Sequence, residues 1–184
     1  MNINVRIIRG NRRTLSIELK PNEIIARAPM RMKDKEIYKF IESKKDWIDE
    51  HLTKLNERQK VLDDLKQYTD EEIKQFTAKA KIDILKRVEL YAEKIGVTYN
   101  KITIRCQHTR WGSCSSKGNL NFNCLLVLLP DEIIDSIVVH ELCHRKQMDH
   151  SQRFYAEIDK VFPNYKKCHQ WLKQNGGIYL NRIP

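Results

Sequence analysis

The sequence predicts an α+β fold on three observations: strand-like alternation over residues 3–29, helical periodicity from about 30 to 96, and a second alternating stretch that leads into a histidine-bearing helix. The first region contains "NVRIIRG", "RTLSIEL" and "EIIARAP", whose β-branched residues alternate or cluster between the turn signals Gly10-Asn11 and Pro21-Asn22. It reads as three short antiparallel strands. After Pro29, Ile37, Phe40, Ile41, Ile48, Leu52 and Leu55 recur at threes, fours and sevens, which predicts one long amphipathic helix to about residue 60. The polar stretch "DDLKQYTDE" breaks it. Ile73, Phe76, Ala80, Ile84, Val88 and Tyr91 then mark a second long helix that stops near Gly96.

Residues 101–106, "KITIRC", and 119–127, "NLNFNCLLV", alternate again and read as strands joined by the Gly- and Ser-rich loop "RWGSCSSKGN". Pro130 opens the next helix where its missing amide costs nothing, and Asp131 and Glu132 complement the helix dipole in the first turn. The tail, "SQRFYAEIDKVFPNYKKCHQWLKQNG", supports two short helices parted near Pro163.

At 184 residues, one domain with a sizeable core is expected. No apolar run approaches the ~18 residues of a membrane span, and "MNINVRIIRGNRR" lacks the apolar core of a secretory signal, so a cytoplasmic protein is expected. Five cysteines without a CxxC pair suggest neither a disulfide framework nor a thiolate zinc knuckle; reduced thiols are expected. The net charge of +10 makes a polyanionic partner plausible, although mixed stretches such as "RMKDKEIYKFIESKKDWIDEH" read as solvated helix faces with opposite charges three or four apart.

The chemistry concentrates in "VVHELCHRKQMDHS", residues 138–151. On a helix, His140 and His144 point about 40° from each other and can share one ion, for which a neutral imidazole is a good zinc ligand. Glu141, rotated by about 100°, is placed to act as general base on a water near that ion. His150 would point about 240° from His144 if the helix ran straight on, so the chain must turn between them. "QMDHS" can supply the turn, with Asp149 or Ser151 as N-cap of "QRFYAEIDKVF". Three imidazoles would then leave the fourth position open, as in catalytic zinc sites, and ligand type favours zinc over iron or manganese. His51, His108 and His169 read as surface or packing histidines, and Cys143 faces away from the stripe.

The blocks "RWGSCSSKGNLNFNCLLVLLP", "VVHELCHRKQMDHSQRFY" and "PNYKKCHQWL", with the looser "RRTLSIELKPNEIIARAP" and "KDWIDEHL", resemble the YgjP-like metallopeptidase domain proteins and, more distantly, the SprT-like and WLM zinc proteases. The resemblance spans nearly the whole chain. It implies a zincin-like metallopeptidase fold in which the HExxH helix packs beside a second long helix and under a small antiparallel sheet. It also implies a single domain over 1–184, with strands and a long helix in 1–65 and a zincin-like catalytic core in 66–184. Zinc would be held by His140, His144 and His150, with Glu141 as base. Tyr155 departs from the tryptophan usual in the family.

In the RWGSCS block, Arg110, Trp111, Ser113 and Cys114 either line the cleft or brace the sheet, with bracing the favoured reading. Gly112 and Gly118 suit turns, and Trp111 is large enough to anchor a loop. Arg110 is the candidate to orient Glu141 or an anionic substrate group. "LNFNCLLV" offers an edge to which an extended peptide could add. A peptide or protein substrate is expected. Two rivals stay open: a metal-dependent nucleoside-triphosphate pyrophosphatase, which lacks a Gly-rich phosphate loop here, and a nucleic-acid-associated module of the SprT-like kind that uses the basic surface.

Overall fold

The computed structural model describes residues 3–184. By their internal contacts they fall into two compact units, Met1–Asp64 and Leu65–Pro184.

The first unit contains β1 (Asn4–Gly10), β2 (Ser16–Lys20), β3 (Glu23–Pro29), α1 (Asp34–Ser43) and α2 (Lys45–Asp63). β2 and β3 form the expected antiparallel hairpin, turned through Asn22, whose φ of 57° is a left-handed conformation that asparagine tolerates. The strand order is β1-β3-β2, however, and β1 runs parallel to β3, so the expectation of three antiparallel strands is corrected. Alternation records which residues face inward, not which strand takes the centre. Here β3 takes it, because Ile24, Ile25, Ala26 and Ala28 are all buried.

The single helix expected to residue 60 is also corrected: it breaks at Lys44 (φ −112°, ψ 13°) into α1 and α2. Ile24, Ala26 and Ala28 share one face of β3, and two clusters form along it. Ile37 packs with Ala26 and Ala28, while Ile48 and Leu52 pack with Ile24, and Ile41 touches both clusters. Two ends of one face thus demand two helix directions. The solvated side of α2 carries the expected opposite charges, as in Lys54–Glu50 at 2.6 Å.

The second unit contains α3 (Asp70–Ile95), β4 (Ile102–Arg105), β5 (Gly112–Cys114), β6 (Leu120–Asn123), a 3-10 turn (Cys124–Leu128), α4 (Asp131–Cys143), α5 (Gln152–Val161) and α6 (Tyr165–Leu180). α3 starts at a capping box, in which the Glu72 amide donates to Thr69 Oγ1 (3.2 Å) and the Thr69 amide to Glu72 Oε2 (2.7 Å). It ends at Gly96, whose φ of 73° lets the chain leave in the left-handed conformation. The sheet order is β4-β6-β5, with β6 parallel to β4 and antiparallel to β5. The small sheet is therefore mixed, not wholly antiparallel.

Three further expectations change in this unit. "GSC" is a strand inside what read as a loop. "CLLV" is a 3-10 turn instead of a continuation of β6: the Asn123 side chain accepts from the Leu125 amide (3.1 Å), and the turn buries the consecutive residues Cys124, Leu125 and Leu126, which alternation cannot do. Because β6 is paired on both sides, "LNFN" is the centre of the sheet and the outer strand near α4 is β5. α4 is buried almost all round, from Ile133 to Cys143. α6 runs on through Gly176 to Leu180; a Cβ at Gly176 would lie 3.0 Å from Trp111 Nε1, so the glycine there makes room for the indole. Among the described residues, no helix is long and apolar enough to cross a membrane.

Candidate metal centre and active site

The i, i+4 spacing on α4 brings the His140 and His144 Nε2 atoms to 3.3 Å. α4 ends there, since Arg145, Lys146 and Gln147 turn back with amides bonded to the carbonyls of Leu142 and Cys143. Ser151 takes the N-cap position of α5 without capping through its side chain, and its amide is met instead by Asp149 Oδ1 at 3.3 Å. This reversal swings His150 round until its Nε2 lies 3.2 Å from that of His140. Among the described residues, His140, His144 and His150 are the group whose ligand atoms lie close enough, all within 4.8 Å, to hold a metal ion.

The outer nitrogens of His140 and His144 are engaged elsewhere. His144 Nδ1 lies 3.1 Å from the Gln147 carbonyl, which can only accept, so this nitrogen carries the proton and leaves Nε2 with a free lone pair. His140 Nδ1 shares a hydrogen bond of 2.7 Å with the Tyr165 hydroxyl. Fully buried Phe154, from α5, floors the cluster with its ring centroid 4.5–5.0 Å from all three imidazoles. Burial, reinforced by His144, His150 and His169, pushes the His140 pKa down to about 3, and burial lowers that of His144. Both rings are therefore neutral at ordinary pH.

Glu141 is buried, only 5% exposed. Burial raises its pKa to about 8 against the opposing pull of the Arg110 charge. Arg110 itself is exposed, and its carbonyl accepts from Asn123 Nδ2 at 3.0 Å. Gly112 on β5 lies directly against the carboxylate: a Cβ there would stand 2.6 Å from Glu141 Oε1 and 2.8 Å from its Cγ. Gly112 thus serves a close approach, not the expected turn, whereas Gly118 (φ 80°) does sit in a turn, against Arg145. Arg145 ties the end of α4 to the segment before β4 and the turn between β5 and β6 by donating to the carbonyls of Thr98 (3.0 Å) and Ser116 (3.1 Å).

A cavity of about 170 Å³ opens beside Glu141 between β5, α4 and α6, walled chiefly by Trp111, Ile137, Tyr165, His169 and Leu172. The RWGSCS block therefore both braces and lines: Trp111 packs edge-on to Tyr179 and also faces the cavity. His169, read from sequence as a packing residue, stacks on Tyr165 at 5.7 Å and borders the cavity. His51 lies in the first unit and bonds the Trp47 carbonyl (2.8 Å), and His108 is exposed. Sequence reasoning missed Phe154 and Tyr165, although "QRFY" and "PNYKKCHQWL" were the blocks that contained them.

A family model described as YgjP-like, metallopeptidase domain, matches residues 13–75 and 63–175. No curated protein matches the chain. Among solved structures, the metallopeptidase zymogen of Pyrococcus abyssi abylysin is similar at 24% identity and a TM-score of 0.46, over 50% of this chain and 95% of that one. The metallopeptidase zymogen of Methanocaldococcus jannaschii jannalysin is similar at 22% identity and a TM-score of 0.45, with the same coverage. With the family match running through most of both units and across the whole histidine cluster, the chain belongs to the YgjP-like metallopeptidase domain family.

Proposed function

We propose that the chain is a zinc-dependent peptidase of zincin-like architecture, in which His140, His144 and His150 hold the ion, Glu141 is the general base and the substrate is an extended peptide or unfolded protein segment. The observation that carries this reading is the convergence of three imidazole Nε2 atoms beside a buried carboxylate. The donor set suits the metal. Nitrogens at three corners of a tetrahedron, each ~2.0–2.1 Å from zinc, stand ~3.4 Å apart, and the His140 nitrogen lies 3.3 and 3.2 Å from its two neighbours. Lone pairs turned toward one another repel unless a cation lies among them, and the Gln147 carbonyl holds His144 in the ligating tautomer. When bound, zinc supplies Lewis acidity, polarising a carbonyl and acidifying water.

The chain's own residues do the rest. Glu141, in its ionised form and with its proton affinity raised by burial, takes a proton from the attacking water and returns it to the leaving nitrogen. Gly112 lets the carboxylate stand against β5, and Arg110 biases it toward the ionised form. β5 is the outer strand of its sheet, so an extended peptide pairing along Gly112–Cys114 would pass Glu141. The cavity borders His140 and Glu141 but not His144 or His150. Since Glu141 delivers its proton to the leaving nitrogen, the side chain lodged there belongs to the residue after the scissile bond, and Trp111, Ile137 and Leu172 favour an apolar one.

The test pairs metal analysis with hydrolysis of a quenched-fluorescent peptide library. Glu141→Gln should keep full zinc content and lose ~10²–10⁴-fold in rate, whereas His144→Ala should lose both. A Gln variant without zinc refutes the assigned roles. A wild-type protein that leaves every peptide intact but hydrolyses nucleoside triphosphates replaces the peptidase reading with the nucleotide one.

A further inference from the structure

Away from the histidine cluster, two cysteines eighteen positions apart in the sequence come to lie side by side. The parallel register of β4 and β6 pairs Ile102 with Leu120, Thr103 with Asn121, Ile104 with Phe122 and Arg105 with Asn123, so the next pair in line is Cys106 and Cys124. Asn123 is still extended (φ −76°, ψ 135°), which turns Cys124 to the face occupied by Phe122; the same alternation turns Cys106 to the face of Ile104. Opposed residues on neighbouring strands stand about 4.7–4.9 Å apart, inside the ~4.4–6.8 Å between Cα atoms that a disulfide spans. The two side chains are neighbours: burial, together with the nearby Cys124, pushes the Cys106 thiol up to about 11. Cys124 is fully buried, whereas the Cys106 residue is exposed and open to a reagent.

We infer that Cys106 and Cys124 form a dithiol site that closes to an intramolecular disulfide under oxidising conditions and staples the segment that carries Arg110, Trp111 and Gly112. That segment is already held in place by the last residue of β6, next to Cys124: Asn123 Nδ2 donates to the carbonyls of Gln107 (2.6 Å) and Arg110 (3.0 Å), and the Asn123 amide donates to that of Trp111 (2.8 Å). The loop between the two cysteines is thus already tied to β6 before any bond forms. The ring so formed contains β5, whose Gly112 stands against Glu141. The inference stands independently of whether the histidines carry zinc.

With a disulfide oxidant such as oxidised glutathione the chemistry balances. The Cys106 thiolate attacks one glutathione sulfur, the glutathione S–S bond breaks and one glutathione leaves as thiolate. The Cys124 thiolate then attacks the Cys106 sulfur and expels the second glutathione. The two cysteine protons end on the two released glutathiones, and the two electrons reduce the reagent. Because the Cys106 thiol is protonated at neutral pH, the first step is slow. The pair is a staple set by sustained oxidation, not a rapid sensor.

The purified full chain is incubated with oxidised glutathione, denatured with an alkylating agent and mapped by non-reducing peptide mass spectrometry. The expected product has one cross-link joining Cys106 to Cys124, with Cys114, Cys143 and Cys168 alkylated. Its unfolding midpoint should rise by several degrees and fall back with dithiothreitol, since a loop closed in the unfolded chain stabilises the fold. Cys106→Ser, at an exposed position, should show neither change. Full alkylation of all five cysteines, a glutathione adduct persisting on Cys106, a cross-link through another cysteine, or a Cys106–Cys124 link that leaves the midpoint unmoved would overturn the inference.

Discussion

Gly112→Ala tests the geometry around the carboxylate with a single methyl group. The new Cβ would stand 2.6 Å from Glu141 Oε1, 2.8 Å from Cγ and 2.9 Å from Cδ, where ordinary contact begins at 3.4 Å. One of the two must yield by about 0.8 Å at the oxygen. Glu141 cannot retreat freely, because α4 is packed on nearly every side and the residue is buried. The strain should cost ~1–3 kcal/mol of stability, typical of overpacking. A misplacement of ~1 Å in a reacting group costs ~100-fold in rate, equivalent to ~2.7 kcal/mol. The three atoms nearest the new methyl group all belong to Glu141 and none to an imidazole, so zinc content should be unchanged. The variant should therefore melt a few degrees lower, bind metal as wild type does and cleave the peptide library ~100-fold more slowly. Activity within threefold of wild type in a folded Gly112→Ala protein would refute the reasoning, because it would mean that catalysis tolerates a displaced Glu141.

Tyr165→Phe removes the hydroxyl that holds His140 Nδ1; zinc affinity should fall ~10–100-fold in a chelator competition, and an unchanged affinity would deny Tyr165 that role. In metal-free protein, Glu141 has a folded pKa of about 8, above its ordinary 4.5, so its contribution to stability is fully present below pH 4.5 and is lost as pH rises through 8. Denaturant titrations of metal-free Glu141→Gln should thus match wild type near pH 4 and exceed it near pH 9 by up to about 5 kcal/mol; a difference independent of pH would contradict the assigned burial penalty. Ile137→Phe should fill part of the cavity of about 170 Å³, raising KM roughly tenfold or more for peptides with a bulky apolar residue after the scissile bond while sparing those with alanine. Equal effects on both peptide sets would detach the cavity from specificity.

The metal-binding hypothesis was legible in the linear sequence because its first half is local. Residues four apart on a helix meet by helical geometry alone, and the turn-forming Asp149 and Ser151 of "QMDHS" mark where the chain must turn. The helices from Asp70 and Asp131 were legible for the same reason, since periodicity, Pro130 and Gly96 act within a few residues of themselves. Strand order was not: whether β1 joins β3 in parallel, or whether "LNFN" is an edge or a centre, depends on which strand has the most surface to bury, a competition among segments distant in sequence. The same holds for Phe154 beneath the imidazoles, Tyr165 on His140, Gly112 against Glu141 and the meeting of Cys106 with Cys124. Composition and spacing by themselves determined a mixed fold and nominated three histidines and a glutamate. Tertiary packing alone decided what surrounds them, because close contact between residues far apart in the chain leaves no periodic trace in either segment.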